Sequence, residues 1–108
     1  MRVRISVPPE AHVGEIVEIK TLVSHPMENG FRRDATGLLV AQNILTRFEC
    51  WLDQKQIFST QFFPAVAANP YLAFSIKASL SGELRFIWTD QHGKQTIERR
   101  AFNVISDG

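Results

Sequence analysis

Three histidines and one cysteine are the side chains of this sequence whose types most often perform acid–base, nucleophilic or metal chemistry near neutral pH. His12, His25 and His92 each lie beside a predicted turn, and none has a second His or Cys at metal-ligand spacing. The sequence therefore predicts no metal site and no cofactor. His25 is the most interesting of the three, because it ends an apolar strand and begins a long polar loop. We expect it either to cap the strand end or to contact a partner.

Cys50 is the single cysteine, so an internal disulfide cannot form. In the predicted strand it shares a face with Phe48 and Leu52. An apolar environment raises the pKa of a thiol and makes it unreactive, so we expect a packed core thiol. The alternative, a small thiol enzyme that uses Cys50 and His25, requires an accessible and nucleophilic Cys50.

The composition is that of one packed domain, which we place over residues 1–108. Hydrophobic residues make up 44% of the chain, including eight Phe and two Trp, and this is enough for a core. The 12 Lys and Arg nearly balance the 11 Asp and Glu, and a net charge of +1 gives no general attraction to nucleic acid or acidic membranes. There is no 18-residue apolar run for membrane insertion, and no Gly-rich phosphate loop follows a strand.

Apolar and polar side chains alternate through most of the chain, which is the period of a half-buried β-strand. No 11-residue window shows the 3.6-residue apolar stripe of a helix. The predicted strands cover residues 2–7, 15–24, 44–53, 56–62, 71–80, 83–90 and 95–104. The class is therefore all-β, and the natural architecture is an immunoglobulin-like (fibronectin III-like) sandwich of two antiparallel sheets with about seven strands.

Turn residues predict how these strands are connected. Gln54-Lys55 is placed in a tight turn, and Ser81-Gly82 in a hairpin turn between the strands on either side. Asn69-Pro70 is a turn because Asn tolerates unusual backbone angles and Pro fixes φ. We expect Tyr71, which follows it, either to pack its ring or to project its hydroxyl at the edge of the loop.

The longest connection, over residues 25–43, has two Gly, one Pro and several charges but no sustained periodicity. Connections of this length usually carry function or are disordered. Arg32 and Arg33 lie within it, just before Asp34. They form either a solvated local ion pair of little energetic value or a guanidinium pair that recognises an anion by forked hydrogen bonds.

The outward faces of three predicted strands form a second candidate contact surface. Its residues are Leu45, Trp51, Ile87, Ile97 and Ala101, interleaved with Arg47, Arg85 and Arg99. A contiguous apolar patch on a small protein often marks an interface, and Trp and Arg are common interface anchors. We predict that this sheet face, or the 25–34 loop beside it, binds a partner, unless a loop covers these side chains.

Three separated blocks of the sequence resemble a known family. The blocks are IKTLVSHPMENGFRRD, NILTRFEC and AANPYLAF. In their order and spacing they are similar to SoxZ, the family of the small subunit in the bacterial thiosulfate-oxidising multienzyme system. The resemblance spans nearly the whole chain and implies an immunoglobulin-like binding subunit, not a free-standing enzyme.

The resemblance also implies a partner and a role. SoxZ proteins form a heterodimer or higher hetero-oligomer with the carrier subunit SoxY, whose Gly-rich C-terminus holds the substrate-bearing cysteine. This chain ends VISDG without such an arm, so it resembles the non-catalytic subunit that helps to present the sulfur adduct in transient contacts with other enzymes of thiosulfate oxidation. The predicted partner-contact residues are His25, Met27, Arg32, Arg33, Leu45, Trp51, Asn69, Tyr71 and Ile87. Of these, Arg32 or Arg33 would pair with partner carboxylates or help to hold the sulfonate of the adduct.

Two predictions about location and function stay open at this point. The first nine residues lack the apolar stretch of a secretory signal, which by itself indicates a cytoplasmic protein. The family resemblance instead implies a periplasmic protein that is exported together with a partner carrying a twin-arginine signal. The alternative function is a generic immunoglobulin-like adhesion or ligand-binding module with no role in sulfur chemistry.

Overall fold

The computed structural model describes residues 1–63 and 66–106, and within these ranges the chain forms eight strands in two sheets. In chain order they are β1 (Val3–Ser6), β2 (Glu10–His12), β3 (Ile16–Val23), β4 (Leu45–Leu52), β5 (Lys55–Gln61), β6 (Tyr71–Lys77), β7 (Gly82–Asp90) and β8 (Gln95–Ile105). One sheet has the order β1-β3-β6 and the other β2-β8-β7-β4-β5. The predicted all-β sandwich is confirmed.

Apolar and polar residues alternate along the central strands, so one side of each strand is buried. In β3 the residues Val17, Ile19, Thr21 and Val23 are buried, and each residue between them is exposed. A strand turns successive side chains to opposite faces, so this pattern fixes which face of β3 lies on the other sheet.

An aromatic cluster joins the two sheets at the centre of the core. Phe48 of β4 lies 5.8 Å from Phe74 of β6 and 5.1 Å from Trp88 of β7, measured between ring centroids. The ring of Phe58 in β5 stacks on Phe74 at 4.2 Å. Since β6 belongs to the three-stranded sheet and β4, β5 and β7 to the other, these rings hold the layers together.

Two features of the topology differ from the prediction. The short strand β2 was not predicted, and it pairs in parallel with β8, so the sandwich is not wholly antiparallel. The predicted hairpin at Ser81-Gly82 is wrong, because β6 pairs with β3 whereas β7 pairs with β4 and β8. Ser81 instead lies where the chain crosses between sheets, and its Oγ accepts a 2.7 Å hydrogen bond from the backbone N–H of Val104.

A register shift in β4 reverses one predicted orientation. The pairing of β4 with β7 slips between Leu45 and Arg47, and an extra residue in one strand changes which face the side chains before it occupy. Leu45 is consequently only 3% exposed and belongs to the core, so its predicted outward position is wrong. The following turn is at Asp53-Gln54, one residue earlier than predicted, with Asp53 at a φ of 51°.

The molecule is long for its size, and residues 28–43, which we call the arm, form a hairpin-like segment outside the two sheets. The radius of gyration is 16.7 Å, whereas a compact chain of this length has about 13 Å. The longest dimension is 65 Å, but the 11 residues of β8 span only about 36 Å at the usual rise of a strand. The arm is exposed along nearly its whole length, and within it Glu28 pairs with Asn43 and Arg33 with Leu39.

Candidate partner-binding surfaces

Two of the sequence blocks meet at the base of the arm, where His25 and Asn69 clasp each other. The backbone N–H of His25 donates to Oδ1 of Asn69 at 2.9 Å, and the backbone N–H of Asn69 donates to the carbonyl of His25 at 2.7 Å. Asn69 adopts a φ of 55°, which Asn tolerates better than most residues. The turn at Asn69 therefore fixes the point at which β3 ends and the arm begins.

The imidazole of His25 is held in one neutral form. The backbone N–H of Met27 donates to Nδ1 at 3.0 Å, so Nδ1 is an acceptor and the ring proton lies on Nε2. Burial lowers the pKa of His25 below its usual range; the charge of Asp90 opposes this shift, and the N-terminal ammonium adds to it. His25, Asp90 and Lys94 line a small cavity of about 200 Å³.

Acidification is expected to destabilise the protein through His25. Because the pKa is lower in the folded state than in the unfolded chain, the unfolded chain binds more protons as the pH falls below about 6.5. The stability that neutral His25 contributes is therefore fully present above that pH and decreases as the pH falls toward the lower pKa of the folded state. The midpoint of thermal unfolding, followed from pH 7.5 to 5.5, should fall further for the wild type than for His25→Gln. Parallel curves for the two proteins would contradict this.

Met27 and Leu45, two of the predicted contact residues, lie inside the protein. Met27 is buried in the core with a φ of 48°, and its Sδ accepts a 3.3 Å hydrogen bond from the backbone N–H of Leu45. These two side chains therefore anchor the base of the arm to the start of β4. A contact between either of them and a partner would require the base of the arm to open.

Arg32 and Arg33 are both tied to the arm. Arg32 forms an ion pair with Glu28 at 2.6 Å, and this hydrogen bond keeps the pKa of Glu28 below its usual range. The Nη1 of Arg33 donates to the carbonyl of Gly37 at 2.8 Å. A guanidinium has five N–H donors, so each of these side chains keeps donors that could reach an anion.

Three exposed apolar side chains occupy the arm, and the sequence analysis did not single them out. Phe31 is 83% exposed, Leu38 67% and Leu39 58%. The signal in the sequence was the presence of these large apolar residues in a polar segment that has no strand periodicity. Exposed apolar residues are ordinary singly, but three in one projecting segment form a candidate contact site.

On the outer face of the five-stranded sheet, Ile87 is buried and Trp51 half-buried, whereas Ile97 is 39% exposed. Trp51, Arg85 and Arg99 lie in one cross-strand row, and the guanidinium of Arg85 lies 5.6 Å from the ring centroid of Trp51. Ile87 lies in the next row and is only 7% exposed although it is not part of the core cluster. Neighbouring side chains of this face therefore shield Ile87, and the open apolar area is smaller than the sequence indicated.

Tyr71 lies at the start of β6 on the outer face of the three-stranded sheet. It is exposed and lies in register with Leu22 of β3, which pairs in turn with Arg4 of β1. Its ring is not part of the core, because β6 turns Leu72 and Phe74 inward instead. Tyr71 is thus available for contact on a face different from that of Trp51.

Cys50 lies at the middle of β4 with no exposed surface, as the sequence predicted. Burial raises the pKa of this thiol to about 12, so almost none of it is thiolate at neutral pH. A nucleophile needs access and ionisation, and Cys50 has neither.

Within residues 1–63 and 66–106, no three or more His, Cys, Asp or Glu side chains are grouped so that they could hold a metal ion. In the same ranges no segment forms a helix with the length and apolar character required to cross a membrane.

The architecture is shared with two kinds of solved protein. A variant of superoxide reductase (neelaredoxin) from Ignicoccus hospitalis aligns with a TM-score of 0.72 at 17% identity, covering 95% of this chain and 79% of that one. The sulfur carrier protein SoxY from Chlorobium limicola f thiosulfatophilum aligns with a TM-score of 0.66 at 16% identity, covering 95% and 78%. At these identities the likeness shows the class of fold, an immunoglobulin-like β-sandwich.

The sequence identifies the family of the chain, which the likeness of fold does not. The profile of the family described as "Sulphur oxidation protein SoxZ" matches residues 3–100, which is nearly the whole chain. The chain belongs to the SoxZ family and to the Sox sulfur oxidation system, as its three blocks indicated. A comparison with curated protein sequences finds no significant match.

Proposed function

We propose that this chain is the non-catalytic subunit of a sulfur-carrier heterodimer, which binds a SoxY-type subunit and helps to present its covalent sulfur adduct to the enzymes of thiosulfate oxidation. The observation that carries this proposal is the state of Cys50. The single thiol of the chain is buried with a pKa of about 12, so it cannot accept a sulfur adduct. A sulfur adduct in a complex with this chain must therefore be carried by another subunit.

Membership of the SoxZ family supports the choice of partner. The chain also offers chemistry that suits a charged adduct, because Arg32 and Arg33 lie exposed on a projecting segment and keep unused donors. Planar guanidinium groups recognise sulfonate and carboxylate oxygens by paired hydrogen bonds. In this proposal Arg32 or Arg33 contacts either the sulfonate of the adduct or carboxylates of the carrier subunit.

Co-expression with a SoxY-type protein is expected to yield a one-to-one complex, measurable by native mass spectrometry. Thiosulfate turnover by the reconstituted Sox enzymes should then require both chains and should persist in a Cys50→Ala variant of this one. Turnover of a sulfur compound by this chain alone would contradict the proposal. Failure of the wild type to bind any SoxY-type carrier would favour the generic binding module instead.

The cellular location follows from the same complex. We propose that the chain reaches the periplasm bound to a carrier subunit that bears a twin-arginine signal. Fractionation of the co-expressing cells should then find both chains in the periplasm, and removal of the signal from the carrier should leave both in the cytoplasm. A periplasmic chain in cells that lack the carrier would rule out this route.

A further inference from the structure

The arm exposes three large apolar side chains to solvent. Phe31, Leu38 and Leu39 belong to none of the core contacts, whereas the charged residues beside them are satisfied within the arm. Water-exposed side chains of this size contribute little to folding stability. Their arrangement at the end of a projecting segment therefore suggests contact with another molecule.

The arm is also held in a defined shape before any contact is made. The backbone N–H of Val40 donates to the carbonyl of Arg32, and that of Asp34 to the carbonyl of Leu38, each at 2.8 Å. Oδ1 of Asp34 accepts hydrogen bonds from Thr36 and from the backbone N–H of Leu38, which closes the turn at the tip. A segment that is already ordered loses less conformational entropy when it binds.

We propose that the arm is the element that binds the SoxY-type carrier, with Phe31, Leu38 and Leu39 filling an apolar recess of that subunit. This inference rests on the proposed function and names the surface that performs it. It selects the arm over the sheet face, because on that face Ile87 is buried, Trp51 is half-buried and Ile97 is 39% exposed, whereas Phe31, Leu38 and Leu39 are each more than half exposed. Large apolar anchors that become fully desolvated usually dominate the free energy of such an interface.

A second copy of this chain is a less suitable binding partner for the arm than the carrier subunit. An apolar groove of about 800 Å³, lined by Leu52, Ile57, Ile76, Leu80 and Phe102, lies where β4 and β6 end. The arm joins the opposite end of β4, so insertion of the arm into this groove of another copy would be head-to-tail. Contacts of that kind produce open chains of molecules unless the rotation closes a ring.

A symmetric contact between two arm tips is also unfavourable. Three side chains from each copy would bury well under the roughly 1,200 Å² of total surface that a stable interface usually needs. A carrier subunit with a concave recess can instead surround both sides of the arm. The observations therefore favour a different polypeptide, which under the proposed function is the SoxY-type carrier.

The test compares two variants that each replace exposed apolar side chains by Asp. The first is the double variant Phe31→Asp, Leu38→Asp in the arm. The matched control is Leu80→Asp, which is exposed to the same degree as Leu38 but lies in the groove at the far end. Circular dichroism and urea denaturation should show wild-type folding for both. Isothermal titration with the purified SoxY-type carrier then gives the dissociation constants.

We expect the arm variant to bind the carrier about tenfold or more weakly, and Leu80→Asp to bind within about twofold of the wild type. Wild-type affinity in the arm variant would overturn the inference while leaving the proposed function intact. Failure of the wild type itself to bind would instead refute the proposed function. Hydrogen exchange gives a second readout without any substitution, since amides of residues 31–40 should gain protection when the carrier binds.

Analytical sedimentation of the chain alone tests whether a second copy of the chain binds the arm. We expect a monomer at all concentrations used for the titration. Concentration-dependent association that both the arm variant and Leu80→Asp abolish would show that a second copy fills the role assigned to the carrier, and would overturn the inference.

Discussion

Cys50 in the folded protein is expected to react with iodoacetamide near pH 8 about a thousandfold or more slowly than in the unfolded chain. The thiolate is the reactive form, and burial raises the pKa from 9.0 to about 12. Each unit lowers the thiolate fraction about tenfold in this range, which gives about a thousandfold from ionisation alone. Burial of the sulfur also denies the reagent direct access to Cys50 in the folded protein.

The measurement is the rate of carbamidomethylation by mass spectrometry, in buffer and in concentrated urea. A Cys50→Ala protein serves as the blank. Rapid modification of the protein in buffer, with the circular dichroism of the fold retained, would contradict the core position and revive the thiol enzyme that uses Cys50 and His25. Slow modification leaves this chain without a thiol that could carry the adduct.

The same fold serves proteins with different chemistry, so the residues and not the sandwich determine what this chain does. A superoxide reductase and a sulfur carrier both align with more than nine-tenths of it. Among its described residues there is no group of side chains that could hold a metal ion, and its thiol is buried. What distinguishes the surface instead is the arm, which offers apolar and cationic side chains to another molecule.

The parts of the fold that the sequence predicted are those decided by burial of alternate side chains. The strand predicted over residues 15–24 is found as β3 (Ile16–Val23), because a strand between a core and solvent needs a two-residue period. The position of Leu45 was not predicted, because a bulge in β4 depends on how that strand pairs with β7. The link at Ser81 was misassigned because a turn signal shows that the chain reverses, but not which sheet the next strand joins.

The candidate site was predicted in outline only. The sequence located the long connection and Arg32 and Arg33 within it, but it treated His25 and Asn69 as separate features. Their clasp joins residues 44 positions apart, and no local pattern encodes such a contact. The shape of the arm depends likewise on individual side-chain bonds, such as that of Asp34 to Thr36, which periodicity cannot show.

Phe48→Ala is expected to lower the free energy of unfolding by about 3–5 kcal/mol, the usual loss for a buried Phe. Phe48 is fully buried, and its ring lies within 6.4 Å of four other aromatic rings, those of Phe58, Phe74, Phe86 and Trp88. Removing it leaves a cavity between the two sheets and removes the ring contact of β4 with Phe74 of β6. For a domain of this size the unfolding midpoint should fall by roughly 12 °C or more.

Phe31→Ala is the matched control, because it removes the same ring from the exposed arm. Its effect on unfolding should be within about 0.5 kcal/mol. Urea denaturation monitored by tryptophan fluorescence measures both variants, since Trp88 lies 5.1 Å from Phe48. Equal losses of unfolding free energy in the two variants would mean that the arm unfolds cooperatively with the core. That result would contradict the expectation that Phe31 does not stabilise the sandwich. If Phe48→Ala alone is destabilised, the stability of the sandwich does not depend on the arm tip, which is then free to serve binding.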